Sequence, residues 1–244
     1  ERINLDGDED ASDSDLMRLL TPATWYVNVR NCTELTDESI LAVAERCPNL
    51  KELNVANCEV TDASMLAIAR LRVRDVNAEH CSRLTDASIR ALVRNPSLTA
   101  LHVAGCDLTD GALVDMSKLF LLDARCEKLT DAAFVNCAQL VFFEVSGWSI
   151  TDKTVVRVAL SSPNLQELGV SECDKITDVG LKAVARHCPK LTLLGIKSCG
   201  RLTDASLVRV ARSCPRLAVC AMWFCNKLTD ASVKAIAANC EGLT

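Results

Sequence analysis

The sequence predicts an α/β solenoid, in which short parallel strands alternate with helices in a tandem array. Three observations carry that prediction. The pair Thr-Asp recurs nine times, at Thr36-Asp37, Thr61-Asp62, Thr85-Asp86, Thr109-Asp110, Thr130-Asp131, Thr151-Asp152, Thr177-Asp178, Thr203-Asp204 and Thr229-Asp230, with successive spacings of 25, 24, 24, 21, 21, 26, 26 and 26 residues. A period of that size marks stacked units, each too small to bury its own apolar face. Each pair lies between a Leu-x-Val type run of period two and a stretch with apolar residues three and four apart. The first pattern is a strand and the second a helix of about ten residues. Finally, aromatics are 4% of the 244 residues against 49% hydrophobic, so the core is made of Leu, Val, Ile, Ala and Cys, which suits thin repeating layers.

The elements follow in order. In the first unit Ile3 and Leu5 form the strand, Ser12-Asp13 replaces Thr-Asp, and Leu16, Leu19 and Leu20 line the helix. Its loop, Asp6-Gly7-Asp8-Glu9-Asp10, is acidic, but Ala11 and Met17 stand where a calcium loop needs Gly and Glu. It reads as a solvated connection. Further strands are expected near residues 27–29, 53–55, 76–78, 101–103, 122–124, 143–145, 168–170, 194–196 and 220–222. The two spacings of 21 beside Thr130 imply reduced helices after Asp110 and Asp131 and a local change of curvature. The full unit is clearest late in the chain: Leu165, Leu168, Val170 and Cys173, then Ile176-Thr177-Asp178, then Leu181, Val184, Ala185 and Cys188-Pro189. Thr is suited to cap a helix, and Asp to place negative charge at the positive end of its dipole. Pro after the last Cys stops the helix. Cys240 to Thr244 begins an eleventh unit.

Fourteen cysteines occupy repeat positions. Eight precede a Thr-Asp pair, and Trp148 holds the ninth such place, which marks a packing position and puts Trp148 in the core. Free Cys packs as a small hydrophobe. Reduced structural thiols indicate the cytoplasm, with the nucleus as an alternative. A formal charge of −5 and a pI near 5.3 argue against a nucleic-acid footprint. No segment has the roughly 18 apolar residues that span a bilayer. The start carries no apolar signal region and neither end shows a polar capping module, so the chain reads as a fragment of a longer array, a single domain over 1–244 with about ten repeats.

No catalytic or metal site is expected. There is no C-x-x-C pair, no phosphate loop and no nucleophile elbow, and the pairs His80-Cys81 and His187-Cys188 point apart as chain neighbours. No cofactor is implied.

The unit L-x-x-L-x-V-x-x-C-x-x-L-T-D-x-x-L closely resembles the cysteine-containing leucine-rich repeat over essentially the whole chain. Such repeats are typical of F-box/leucine-rich-repeat proteins. The resemblance implies a horseshoe with strands on the concave face and helices on the convex face. It also implies a protein partner held on the concave face, as in the substrate-receptor half of a cullin–RING ubiquitin ligase. No F-box is present here, so a cullin–RING adaptor would be reached through an F-box lying elsewhere. The same repeats also serve as scaffolds in permanent assemblies, including ciliary ones.

Residues between core positions on each strand face the partner side. One column reads Asn4, Asn28, Asn54, Asn77, His102, Asp123, Glu144, Gly169, Gly195 and Ala221. The next reads Asp6, Arg30, Ala56, Glu79, Ala104, Arg125, Ser146, Ser171, Lys197 and Trp223. The binding candidates are Asn28, Arg30, Asn54, Asn77, His102, Arg125, Glu144, Lys197, Trp223 and Phe224. Stacked Asn side chains can also bond among themselves and to water. Gly169 and Gly195 would clear space for a partner's backbone or for a small ligand. Trp223-Phe224 reads either as a hot spot or as packing for an eleventh repeat.

Overall fold

The computed structural model describes residues 1–240, Gly242 and Leu243, so the eleventh unit expected at the end falls partly outside the described residues, at Glu241 and Thr244. Two compact units emerge, Glu1–Lys118 and Leu119–Thr244.

In the first unit, strands β1 (Arg2–Asn4), β2 (Tyr26–Asn28), β3 (Glu52–Asn54), β4 (Asp75–Asn77) and β5 (Ala100–His102) pair in parallel, each with the next. Helices α1 (Asp13–Leu19), α2 (Asp37–Arg46), α3 (Asp62–Ile68) and α4 (Asp86–Arg94) make the crossovers that parallel pairing requires. The second unit repeats the plan. Strands β6 (Leu121–Ala124), β7 (Phe142–Val145), β8 (Glu167–Gly169), β9 (Leu193–Gly195) and β10 (Val219–Ala221) are parallel, with helices α5 (Asp152–Ser161), α6 (Asp178–His187), α7 (Asp204–Ser213) and α8 (Asp230–Asn239). All ten expected strands are present, each beginning one residue earlier than the apolar pattern suggested. The two short repeats have lost their helices: one keeps a single 3-10 turn at Asp110–Ala112, and the other holds only turns after Thr130. Among the described residues no helix is long and apolar enough to cross a membrane.

The Thr-Asp pair does more than begin each helix. Every Thr hydroxyl of these pairs accepts the N–H two residues on, as Thr177 does from Val179 at 3.2 Å, and caps the helix where one follows. In eight of the pairs the same hydroxyl donates to the Asp of the preceding repeat, joined by the Thr backbone N–H. In the first unit Asp13 holds Thr36, Asp37 holds Thr61, Asp62 holds Thr85 and Asp86 holds Thr109. In the second unit Asp131, Asp152, Asp178 and Asp204 hold Thr151, Thr177, Thr203 and Thr229. These are charge-assisted bonds linking successive repeats.

The cysteines form a second ladder. Cys32, Cys58, Cys81 and Cys106 donate their thiols to the carbonyls of Leu5, Val29, Val55 and Ala78, at 3.0 to 3.1 Å. Cys199 and Cys225 do the same to Val170 and Ile196. All fourteen are free thiols and thirteen are buried. The six bonded in this way fill core gaps and give main-chain carbonyls a weak donor.

Trp148 departs from expectation. It is 75% exposed, not core. Its repeat places Gly147, at φ +122°, where the others place Cys: Ile150 N–H closes the turn on the Gly147 carbonyl at 3.3 Å, as Leu202 does on Cys199. Trp148 is therefore one residue past the core slot.

Candidate functional site

The candidate site is the outward face of the strands, taken unit by unit. In the first unit Asn28, Asn54, Asn77 and His102 stand side by side in register on β2 to β5. Their side chains are committed locally. The Oδ1 atoms of Asn28, Asn54 and Asn77 accept the N–H two residues on, from Arg30, Ala56 and Glu79, at 3.2, 3.0 and 3.0 Å. The run of Asn thus closes each strand with its own short turn, the local bonding at which Asn excels. His102 Nε2 lies 3.8 Å from Asp75 Oδ1. Burial raises the Asp75 carboxyl above its ordinary range; His102 opposes that shift and Glu52, its neighbour on β3, adds to it. Arg30 is exposed at the rim.

In the second unit Glu144, Gly169, Gly195 and Ala221 are in register across β7 to β10. Arg125 binds the buried Asp123 through two bonds of 2.9 and 2.6 Å, and its Nε is 3.8 Å from Glu144 Oε1. A Cβ on Gly169 would lie 2.6 Å from Glu144 Cγ, so this glycine accommodates the Glu144 side chain and leaves no slot for a partner's backbone. Gly195 has ordinary spacing around its missing Cβ. Lys197 pairs with Glu172 at 3.7 Å. Trp223 and Phe224 are 69% and 72% exposed, and Phe224 has φ +62°, a backbone that a bulky residue rarely adopts.

The sequence reading missed a third column on the same face. Because every strand begins one residue earlier, Leu121, Phe142, Glu167, Leu193 and Val219 also point outward in the second unit, and none of them is buried. Strand alternation places them two residues before the Glu144 column. Beside Gly195, Ala221 and Trp223, Leu193 and Val219 give the last two strands an apolar strip next to Glu167 and Lys197, whereas Arg2, Tyr26, Glu52 and Asp75, followed by Ala100, make the column of the first unit mostly polar and aromatic.

The thiols are poor nucleophiles. Burial pushes Cys81, Cys188 and Cys199 up to about 12, and Cys106 and Cys214 to about 11. Cys81 turns its thiol to the Val55 carbonyl, away from the exposed His80.

A family model described as Leucine Rich repeat matches residues 46–69, 94–117 and 161–185. Among solved structures, that of a Rad7 and Elc1 complex in yeast matches with a TM-score of 0.68 and 20% identity, covering 96% of this chain and 72% of that one. A chain of a TLR13–ssRNA13 complex matches with a TM-score of 0.55 and 16% identity, covering 91% of this chain but only 36% of that one. The fold is an α/β leucine-rich-repeat solenoid.

Proposed function

We propose that this chain is a non-enzymatic protein-interaction array whose strand face holds its partner, with Trp223 and Phe224 as the principal contacts. The single observation that carries this is an exposed aromatic pair on the strand side, with Phe224 set at the left-handed turn position that Asn31 and Asn57 fill in earlier repeats, where a bulky side chain is strained. Asn28, Arg30, Asn54, Asn77, His102, Arg125, Glu144 and Lys197 then supply the polar remainder of the surface. A rigid repeat array presents such a surface preformed, so little ordering entropy opposes binding. The solved neighbour described as a Rad7 and Elc1 complex is itself assembled with another protein, which fits a partner-binding role.

Within this reading the resemblance to F-box arrays makes the partner a ubiquitin-ligase substrate, with recruitment through an F-box and its cullin–RING adaptor. The competing reading is a scaffold subunit. Crosslinking in native cells followed by mass spectrometry separates them: recovery of a cullin and adaptor supports the receptor, and one partner at fixed stoichiometry supports the scaffold. Crosslinks from Lys197 on the strand side support the face itself. Crosslinks confined to the helix-side Lys153, Lys182 and Lys234 would overturn it.

A further inference from the structure

The helix side of the second unit is distinct from the strand face, and its charge is one-sided. Helices α5 to α8 carry one carboxylate each, the Asp at the first position: Asp152, Asp178, Asp204 and Asp230. The turns at Pro163, Pro189 and Pro215 that follow α5, α6 and α7 carry none. From Asp178 to Ala218 the chain holds eight Lys and Arg against two Asp, in a protein whose formal charge is −5. Six of the eight lie on two adjacent helices or in the turns that follow them: Lys182 and Arg186 on α6, Arg209 and Arg212 on α7, then Lys190 and Arg216. All six are exposed.

The fold does not require these cations. At equivalent positions α2 and its turn place Glu45 for Arg186 and Arg212, and Asn49 for Lys190 and Arg216. The helix dipole accounts for Arg186 and Arg212, which lie in last turns, but not for Lys182 and Arg209 at mid-helix. Nor are the charges neutralised within the molecule. Among the described residues none of the six forms an ion pair. Asp178 is held by Thr203, and Asp204 by Thr229 and Ser232. Lys190 donates to the neutral Asn164 at 2.7 Å. Because α6 and α7 pack side by side, like charges gather on one face, which costs repulsion and attracts anions.

Apolar groups lie among them. Leu160 on α5 stands at the position equivalent to Arg186, and both it and Val179 on α6 are 59% exposed. On α7, Ala205 and Val208 line a shallow recess with Arg209, Arg212 and Ser213. Guanidinium groups beside apolar side chains suit a carboxylate carried on an apolar stem, which they hold by paired hydrogen bonds. No Phe, Trp or Tyr occurs from Asp152 to Ala218, so the bases of a nucleic acid strand would find nothing to stack on. We infer that the outer side of α6 and α7 docks an acidic segment of a partner protein, one in which Asp or Glu is interspersed with apolar residues at helical spacing.

The test uses the whole chain and a fluorescent synthetic peptide of Glu with Leu at helical spacing, followed by anisotropy. The peptide should bind at low salt and weaken as salt rises. Arg209→Glu with Arg212→Glu should lower its affinity about tenfold. Arg201→Glu with Lys227→Glu makes the same charge change at exposed loop cations ahead of α7 and α8, and should lower it less than about threefold. Arg209→Gln with Arg212→Gln should weaken binding at an unchanged unfolding midpoint, which separates docking from folding. Val179→Ser should weaken the Leu-containing peptide and leave a poly-Glu peptide of equal charge unaffected. Absence of peptide binding, or equal losses in the two charge-reversal pairs, overturns the inference. So does tighter binding of a single-stranded oligonucleotide of equal charge, since nucleic acid would then be the occupant. These readouts report the helix side alone, so this inference and the strand-face reading can fail separately.

Discussion

The carboxylate of Asp37 accepts both the backbone N–H and the hydroxyl of Thr61, at 2.9 and 2.6 Å, so the residue that begins one helix holds the cap of the next. One Thr-Asp dipeptide therefore performs three tasks: it caps its own helix, places a charge at that helix's N-terminus and anchors its neighbour. Substitution should reveal all three. Thr177→Ala removes a cap and a bond to Asp152 together, and is expected to cost about 1–2 kcal/mol. Asp178→Ala strands the Thr203 N–H and hydroxyl, with a cost of about 1–3 kcal/mol. Urea unfolding midpoints measure both, and an unchanged midpoint for either would reject the ladder.

The ladder also fixes a pH dependence. Burial alone would raise Asp13, Asp37, Asp62, Asp131 and Asp178, but hydrogen bonds from Thr and Ser outweigh it and hold them below the ordinary value. The Ser232 bond, joined by those of Thr229, brings Asp204 down to about 2. A carboxyl whose folded value is depressed stabilises the fold fully above its unfolded value of about 3.9 and loses that contribution as pH falls through the folded value. Stability from this source should thus be flat from about pH 7 to 5 and fall steeply below about pH 4. Asp178→Asn should shallow the acid limb, which denaturant titrations across that range would show.

What the sequence revealed and what it hid follow from the range of each interaction. Strand, cap and helix are local patterns, and each was legible from residues within about ten positions. The Asp–Thr bond links residues 20 to 25 positions apart, so one helix considered alone shows only a dipole partner. The Asn run looked like a ladder between strands, yet its side chains serve their own backbone, a choice that depends on the turn after each strand. Trp148 was misplaced because the spacing from the Cys slot to Thr-Asp varies, as from Cys58 to Thr61 and from Cys199 to Thr203, and does not reveal whether Gly147 or Trp148 takes that slot. The outward column with Phe142 and Leu193 was hidden by a one-residue offset, since the Leu-x-Val pattern marks core positions and leaves the residue before it unread.

The cysteines give a third expectation. Burial and raised pKa values together make thiolate rare in the native state. An aromatic disulfide reagent at neutral pH should modify native thiols slowly, with Cys220, half-buried on the open β10, first. The remainder should react at the rate of unfolding. A burst of several thiols before unfolding would contradict the packing role.

Phe224 and Trp223 separate function from stability most sharply. Asn31 and Asn57 hold the left-handed position in the second and third repeats, at φ 62° and 59°, where Asn is at ease. Phe224 is strained there and is 72% exposed, so it returns little burial for the strain. Phe224→Asn is therefore expected to stabilise the fold by about 0.5–1 kcal/mol while weakening partner binding. Trp223→Ala, at a side chain 69% exposed, should move the unfolding midpoint by less than about 0.5 kcal/mol equivalent and also weaken binding. Binding and midpoint measured on the same preparations decide the matter. Loss of stability in either variant would make the pair a packing element, whereas opposite signs for stability and binding in Phe224→Asn would mark strain retained for recognition.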